Sequence, residues 1–161
     1  MGEWYQTEDR DPVREYVVEA FKDLLDTALK AAFPSRNAAA SRDTSIDPQD
    51  LQPNQTPWTY VESTTENKED RDGLTSARLR LRTWTWVFNE DPGEVDPAMN
   101  AVNRVIYRAI APGLTIVNVP GYGKVSCAVL TPDADETFSG EKDGLLVFPF
   151  VVHYSFATAN P

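Results

Sequence analysis

Cysteine is nearly absent from this sequence. Cys127 is the only one among 161 residues, so no disulfide can form within the chain, and nothing favours an oxidising compartment. The sequence also lacks a run of the ~20 apolar residues that a membrane-spanning helix needs, and its longest candidate, residues 145–152, is interrupted by Pro149. Residues 1–11 are polar and acidic, without the basic and then apolar pattern of a secretory signal. We therefore expect a soluble protein that has no membrane partner and is intracellular when it is synthesised.

Histidine is equally scarce, because His153 is the only one. A catalytic nucleophile needs a base within hydrogen-bond reach, so a Cys127–His153 dyad is one conceivable arrangement. Nothing near Cys127 in the sequence would lower the pKa of its thiol, and His153 lies in an apolar segment. An enzyme could instead use carboxylates such as Glu62 and Asp133, but the spacing of these residues in the sequence matches no known catalytic pattern. We therefore predict a buried thiol and a structural histidine, with no catalytic residue, no cofactor and no enzymatic activity.

Two acidic segments raise the possibility of a metal site. A calcium-binding EF-hand loop that starts at Asp133 would need glycine at its sixth position and glutamate at its twelfth, but these positions hold Phe138 and Gly144. Residues 66–72 have no known ligand spacing. We predict that both segments are solvated loops and that neither holds a metal ion.

The overall charge limits the partners of the chain. The formal net charge is −10 and the isoelectric point is about 4.5, so the average field repels nucleic acid and anionic membranes. We expect no sequence-specific nucleic-acid binding. Hydrophobic residues make up 41% of the chain, including four Trp, six Tyr and seven Phe, which is enough to build the core of one domain.

Periodic patterns predict an α+β fold, with a mostly antiparallel sheet and two main helices packed on it. Asp11-Pro12 and Asp96-Pro97 are typical helix starts, and each is followed by apolar residues at helical spacing. Stretches rich in β-branched and aromatic residues predict the strands. The predicted single domain, residues 1–161, contains a helix at 11–33, a polar loop at 34–56, strands at 58–63 and 77–88, a helix at 96–111, a hairpin at 114–131 and a strand at 145–156.

The strand at 77–88 carries the most informative pattern. Alternate residues on one of its faces are Arg78, Arg80, Arg82, Trp84 and Trp86. Arg and Trp are enriched as anchors of protein interfaces, so these five residues are candidate interface residues. They are equally consistent with a structural role in which a helix covers the tryptophans and the arginines pair with the protein's own carboxylates. Stacking on nucleic acid is disfavoured by the net charge.

The order of elements resembles that of phage tail-terminator proteins, also called tail-completion or minor tail protein U-like proteins. The resemblance lies in an opening amphipathic helix (REYVVEAF, residues 14–21), a variable polar loop, and a strand introduced by proline (PWTYV, residues 57–61). A long alternating strand, a helix across the sheet and a closing strand (FVVHY, residues 150–154) follow. It covers roughly residues 11–156 and includes no diagnostic motif. The loop at 34–56 and the acidic segment before the last strand depart from it.

This resemblance implies a structural protein of bacteriophage virion assembly. Such a protein would cap the tail tube as a homo-hexameric ring and join it to the head–tail connector protein. Its partners would be further copies of itself, the tail tube protein and the connector, and its location would be the virion tail, after assembly in the host cytoplasm. The alternative is a non-catalytic α+β domain that encloses a small molecule or peptide in an apolar pocket.

Overall fold

A computed structural model describes residues 12–111, 116–130 and 136–157. Strand accounts for 46% of these residues, and two helices accompany the strands. The helices are α1 (Pro12–Ala32) and α2 (Val95–Ile110), and the strands are β1 (Ala39–Ser41), β2 (Trp58–Arg71), β3 (Leu74–Phe88), β4 (Ile116–Val119), β5 (Gly123–Leu130), β6 (Glu136–Ser139) and β7 (Asp143–Ala157).

The seven strands form one mixed sheet that curls into a half-barrel. Their order is β1-β2-β3-β7-β5-β4, with β6 paired to β7 beside β5. The pair β1–β2 is parallel and the other described pairs are antiparallel. The predicted α+β class, a mostly antiparallel sheet with two main helices packed on it, is therefore wrong. The fold is dominated by a curled mixed sheet with more strands than were predicted.

The predicted polar loop at 34–56 contains β1 and two 3₁₀ turns, Pro48–Asp50 and Pro53–Gln55. The strand β1 has the sequence AAS, which has no β-branched or aromatic residue to indicate a strand. Its position depends on neighbours instead. The amide of Ala39 donates to Pro57 O (3.3 Å), and the amide of Ala40 donates to the Asp26 carboxylate of α1 (2.9 Å). The position of this strand therefore depends on tertiary contacts, which the local sequence does not reveal.

The strands β2 and β3 form a hairpin much longer than the predicted strands at 58–63 and 77–88. Its connection is the dipeptide Asp72-Gly73, whose φ angles are 53° and 78°. Two consecutive positive φ values are typical of a type I′ turn, which Asp-Gly favours and which matches the twist of the flanking strands. The ladder continues down both arms and is interrupted only by a bulge between Ser63 and Glu66. The charged residues at 66–71, predicted to be a turn, are therefore strand.

The predicted acidic loop at 132–144 contains β6, while the predicted hairpin at 114–131 appears as β4 and β5. The closing strand β7 is longer than the predicted 145–156. On one side β7 pairs along its whole length with β3. On the other side β5 pairs with residues 151–155 and β6 with residues 144–147. Neither of these strands pairs with residues 148–150, where Pro149 has no amide to donate.

The core lies between the helices and one face of the sheet, which we call the inner face. Phe21 of α1 packs on Phe150 of β7 with ring centroids 5.2 Å apart, and Tyr107 of α2 packs on Phe148 at 5.5 Å. The helices run from residues 12 to 32 and from 95 to 110, against predictions of 11–33 and 96–111. The residues of β3 on the inner face are all buried: Thr75, Ala77, Leu79, Leu81, Thr83, Thr85 and Val87.

Candidate interaction surface

The five candidate residues of β3 lie on the opposite face of the sheet, which we call the outer face. Because side chains alternate along a strand, every residue between the buried positions of β3 points outward. Arg78, Arg80 and Arg82 are exposed, and Trp84 and Trp86 are half-buried. The structure therefore brings all five onto one surface, in a continuous row. Both described helices pack on the inner face, so neither covers the two tryptophans.

The three arginines have no acidic partner among the residues described. No carboxylate there lies within salt-bridge distance of Arg78, Arg80 or Arg82. The guanidinium carbon of Arg82 instead lies 5.8 Å from the ring centroid of Trp84, a cation–π distance. Glu62, the neighbour of Arg82 across the ladder, accepts a hydrogen bond from Trp84 Nε1 (3.1 Å). The arginines therefore do not pair with carboxylates of the described chain, as a purely structural role would require.

Aromatic residues continue the surface onto β2. Trp58 lies opposite Trp86, and their ring centroids are 5.6 Å apart. Trp58 is only 5% exposed, so it packs against Trp86 and adds little open surface of its own. Tyr60 lies opposite Trp84 and is half-buried. Sequence reasoning missed Trp58 and Tyr60 as parts of this surface, although the alternation within residues 58–62 could have placed them on one face. The missing information was the register of the hairpin.

Three large aliphatic or aromatic side chains on the outer face are also open to solvent. Leu74, Leu130 and Phe138 are 47%, 50% and 55% exposed. Their ladder partners on β7 are Ala157, Val151 and Leu145, so they lie at both ends and in the middle of the face. Because they are spread along the face, they do not form one continuous apolar patch, and single exposed apolar residues are normal on a protein surface. Phe138 was missed because its segment was predicted to be a loop.

The Cys127–His153 dyad is not formed. In the ladder between β5 and β7, Cys127 pairs with Tyr154 on the inner face and Ala128 pairs with His153 on the outer face. The two side chains therefore lie on opposite sides of the sheet. Burial raises the pKa of the Cys127 thiol from 9.0 to about 11, so it stays protonated at neutral pH. Its Sγ donates only a weak hydrogen bond, to Val125 O at 3.7 Å.

The carboxylates considered for chemistry are engaged in structural contacts or lie outside the described residues. Glu66, whose side chain is 9% exposed, accepts a hydrogen bond from Tyr154 Oη and pairs with Arg14 Nε at 3.7 Å. This contact joins α1 to the hairpin at the bulge. Asp133 lies outside the part of the chain that the structure describes. Within the described ranges, no group of three or more His, Cys, Asp or Glu side chains could hold a metal ion.

The described surface also has a shallow depression of about 280 Å³ on the outer face, where β3, β7 and β5 lie side by side. Its rim includes the hydroxyl residues Ser76, Ser155 and Ser126, which are direct neighbours across the three strands, and His153. The depression is open to solvent, and its lining is partly polar and partly apolar. It differs from the enclosed apolar pocket between helices and sheet that the alternative ligand-binding hypothesis predicts.

Comparison with known proteins adds no assignment, because no protein-family model and no curated protein matches the sequence. Neither of the described helices has the length and apolar character to cross a membrane.

Proposed function

We propose that this chain is a phage tail terminator: a virion structural protein that caps the tail tube and joins it to the head–tail connector. The observation that carries the proposal is the outer face, an open sheet surface that combines three arginines without an ionic partner with clustered tryptophans. Trp84 and Trp86 lie half-buried in one row with the arginines, and Trp and Arg are the residue types enriched as anchors of protein interfaces, which favours a protein partner. The elements on which the resemblance rests, from α1 through β2, β3 and α2 to β7, occur in the expected order, with β1 and β6 as additions.

The charge of the chain is compatible with this role. A ring at the head–tail junction must let DNA pass without holding it, and an acidic lumen repels phosphate groups. A net charge of −10 favours such a lumen if the arginines of the outer face are directed into contacts between proteins. The proposed partners are therefore copies of the same chain, the tail tube protein and the connector protein, all in the virion tail after assembly in the host cytoplasm.

Assembly on tail tubes tests the proposal directly. The purified chain is added to tail tubes of the phage that encodes it, and electron microscopy is used to look for a ring at one tube end. Size-exclusion chromatography with light scattering gives the mass of the free protein. We expect rings of six copies that stop further tube growth. A chain that stays monomeric at high concentration and also leaves tube ends bare would disprove the proposal.

A further inference from the structure

The arginine row of the outer face is unusual in so acidic a protein. Arg78, Arg80 and Arg82 alternate with buried residues. The Cα atoms of neighbouring arginines are therefore about 6.6 Å apart along the strand. The described chain supplies them with no ion pair, although its carboxylates outnumber its cations. Three exposed cations in a row, beside tryptophans, form a surface complementary to a group of carboxylates on another molecule.

The chain itself has such a group in residues 90–96, which run from the end of β3 through the 3₁₀ turn Pro92–Glu94 into the first turn of α2. Glu90, Asp91, Glu94 and Asp96 are all exposed, and none of them forms an ion pair with a described cation. The segment is held in a fixed shape. The amide of Asn89 donates to Lys142 O (2.8 Å), the amide of Gly93 donates to the Asp91 carboxylate (3.1 Å), and Val95 is 2% exposed.

Among the described residues, the basic row and the acidic segment of one copy form no ion pair with each other. β3 ends at Phe88, where the chain leaves the strand and enters α2 on the inner face, and Arg80 lies eight residues before that end, or about 26 Å along an extended strand. Complementary surfaces that are fixed apart on one rigid body can be satisfied only between copies. Such a contact uses two different patches, so it is heterologous, and repeating it closes a ring or extends a filament.

We propose that the outer face of one copy, centred on Arg78, Arg80 and Arg82, docks on the acidic segment 90–96 of the next copy. Trp84 and Trp86 lie on β3 between the arginines and the end of the strand from which the acidic segment continues, and they would form the apolar centre of the contact. This inference rests on the proposed ring assembly and adds to it the two surfaces and the direction of the contact. It identifies the occupant of the outer face as a second copy of this chain.

Two charge-reversal variants test the contact, Arg80→Glu/Arg82→Glu on the outer face and Glu94→Lys/Asp96→Lys on the acidic segment. Each places like charges opposite each other, so each alone should weaken self-association by about a hundredfold or more. Mixed together, they should assemble again. The intact basic row of one variant meets the intact acidic segment of the other, and the two reversed patches also complement each other. Analytical ultracentrifugation and native mass spectrometry measure the assembly, in solution and on tail-tube ends.

A matched control changes charge elsewhere. Arg104→Glu/Arg108→Glu makes the same change in net charge as Arg80→Glu/Arg82→Glu, but on the exposed surface of α2, and it should assemble like the natural sequence. Circular dichroism and urea denaturation of every variant show whether it is folded. The rescue by mixing is itself a folding control, because two misfolded chains would not restore each other.

The possible failures separate the inference from the proposed function. If Arg80→Glu/Arg82→Glu still forms rings, the outer face is not the contact, and the inference is wrong while the ring proposal stands. If Arg80→Glu/Arg82→Glu fails to assemble but Glu94→Lys/Asp96→Lys assembles normally, the arginines contact another surface. The identification of the acidic segment is then wrong. If the natural chain forms no oligomer in solution or on tube ends, both the proposed function and the inference fail.

Discussion

The contact between α2 and the sheet predicts a large effect from the smallest possible substitution, Gly144→Ala. Gly144 lies on the inner face of β7 opposite Val87. A Cβ added there would lie 2.9 Å from Met99 Cγ, and closer still to Met99 Sδ. Met99 is 4% exposed, so its side chain cannot move without displacing its neighbours. Overpacking of this kind costs about 1–3 kcal/mol, and each kcal/mol lowers the melting temperature of a domain this size by about 2–4 °C.

Urea and thermal denaturation followed by circular dichroism measure this effect, and two further variants interpret it. Gly93→Ala is the matched control, because its added Cβ would meet only Asp91 Oδ1 at 3.6 Å, an ordinary contact, so the change should stay within about 0.5 kcal/mol. In Gly144→Ala/Met99→Ala the new methyl group enters the space that Met99 leaves, so the double variant should lose at least about 1 kcal/mol less than the two single losses combined. A Gly144→Ala protein as stable as the natural one would refute the close approach of α2 to β7.

Three further predictions concern buried or partly buried polar groups. Arg36→Met removes the hydrogen bonds from Arg36 Nη1 to Pro53 O (2.8 Å) and to Thr56 O (3.2 Å), and urea denaturation should show a loss of about 1–3 kcal/mol. Thr59→Val leaves the buried Thr85 hydroxyl without its 2.8 Å partner, costing about 1–3 kcal/mol, whereas Thr59→Val/Thr85→Val should recover most of that loss; a double variant no better than the single one contradicts this. Because burial raises the pKa of Cys127 from 9.0 to about 11, the folded state disfavours the thiolate, and stability present below pH 9 should decline as the pH rises towards 11. Cys127→Ala should decline less over that range in denaturation experiments, and the natural chain should react slowly with iodoacetamide at neutral pH.

Local patterns predicted the elements whose signals lie within their own residues. The apolar spacing of the segments around Phe21 and Met99, each preceded by Asp-Pro, indicated α1 and α2 within a residue of their observed ends. The alternation of β3 was enough to group Arg78 with Trp86 on one face, because a strand has only two faces. The sequence did not indicate which face the helices cover, since that depends on how distant elements pack.

The elements that were missed form because of their neighbours. The strand β1 has the composition of a loop. It forms because its amides donate hydrogen bonds to the Asp26 carboxylate and to Pro57 O. The lower half of the β2–β3 hairpin is charged and lacks an apolar pattern, so it was predicted to be a turn. Its one local signal, Asp72-Gly73, was available and was overlooked. The predicted fold class was wrong for the same reason. Short strands such as β1 and β6, which form only beside their neighbours, make the sheet mixed and larger than the local sequence patterns indicate.

The lengths of the helices and strands bear on how the two faces of the sheet are covered. At 1.5 Å per residue, α1 (21 residues) and α2 (16 residues) are about 31 and 24 Å long, whereas β3 and β7, with 15 residues each, extend for about 50 Å. The helices are therefore shorter than the strands, and both pack on the inner face, where the residues of β3 are buried. The outer face carries carboxylates as well, such as Glu62 and Glu69 of β2.

The row that β3 presents on that face carries Arg and Trp instead, the residues enriched at interfaces. Burying Trp84 and Trp86 in a contact between copies would remove apolar surface from water at roughly 25 cal/mol per Å², while the arginines would give the contact its direction. The composition of the β3 row therefore supports the proposed assembly, which the order of elements alone does not distinguish from a monomeric domain of similar fold.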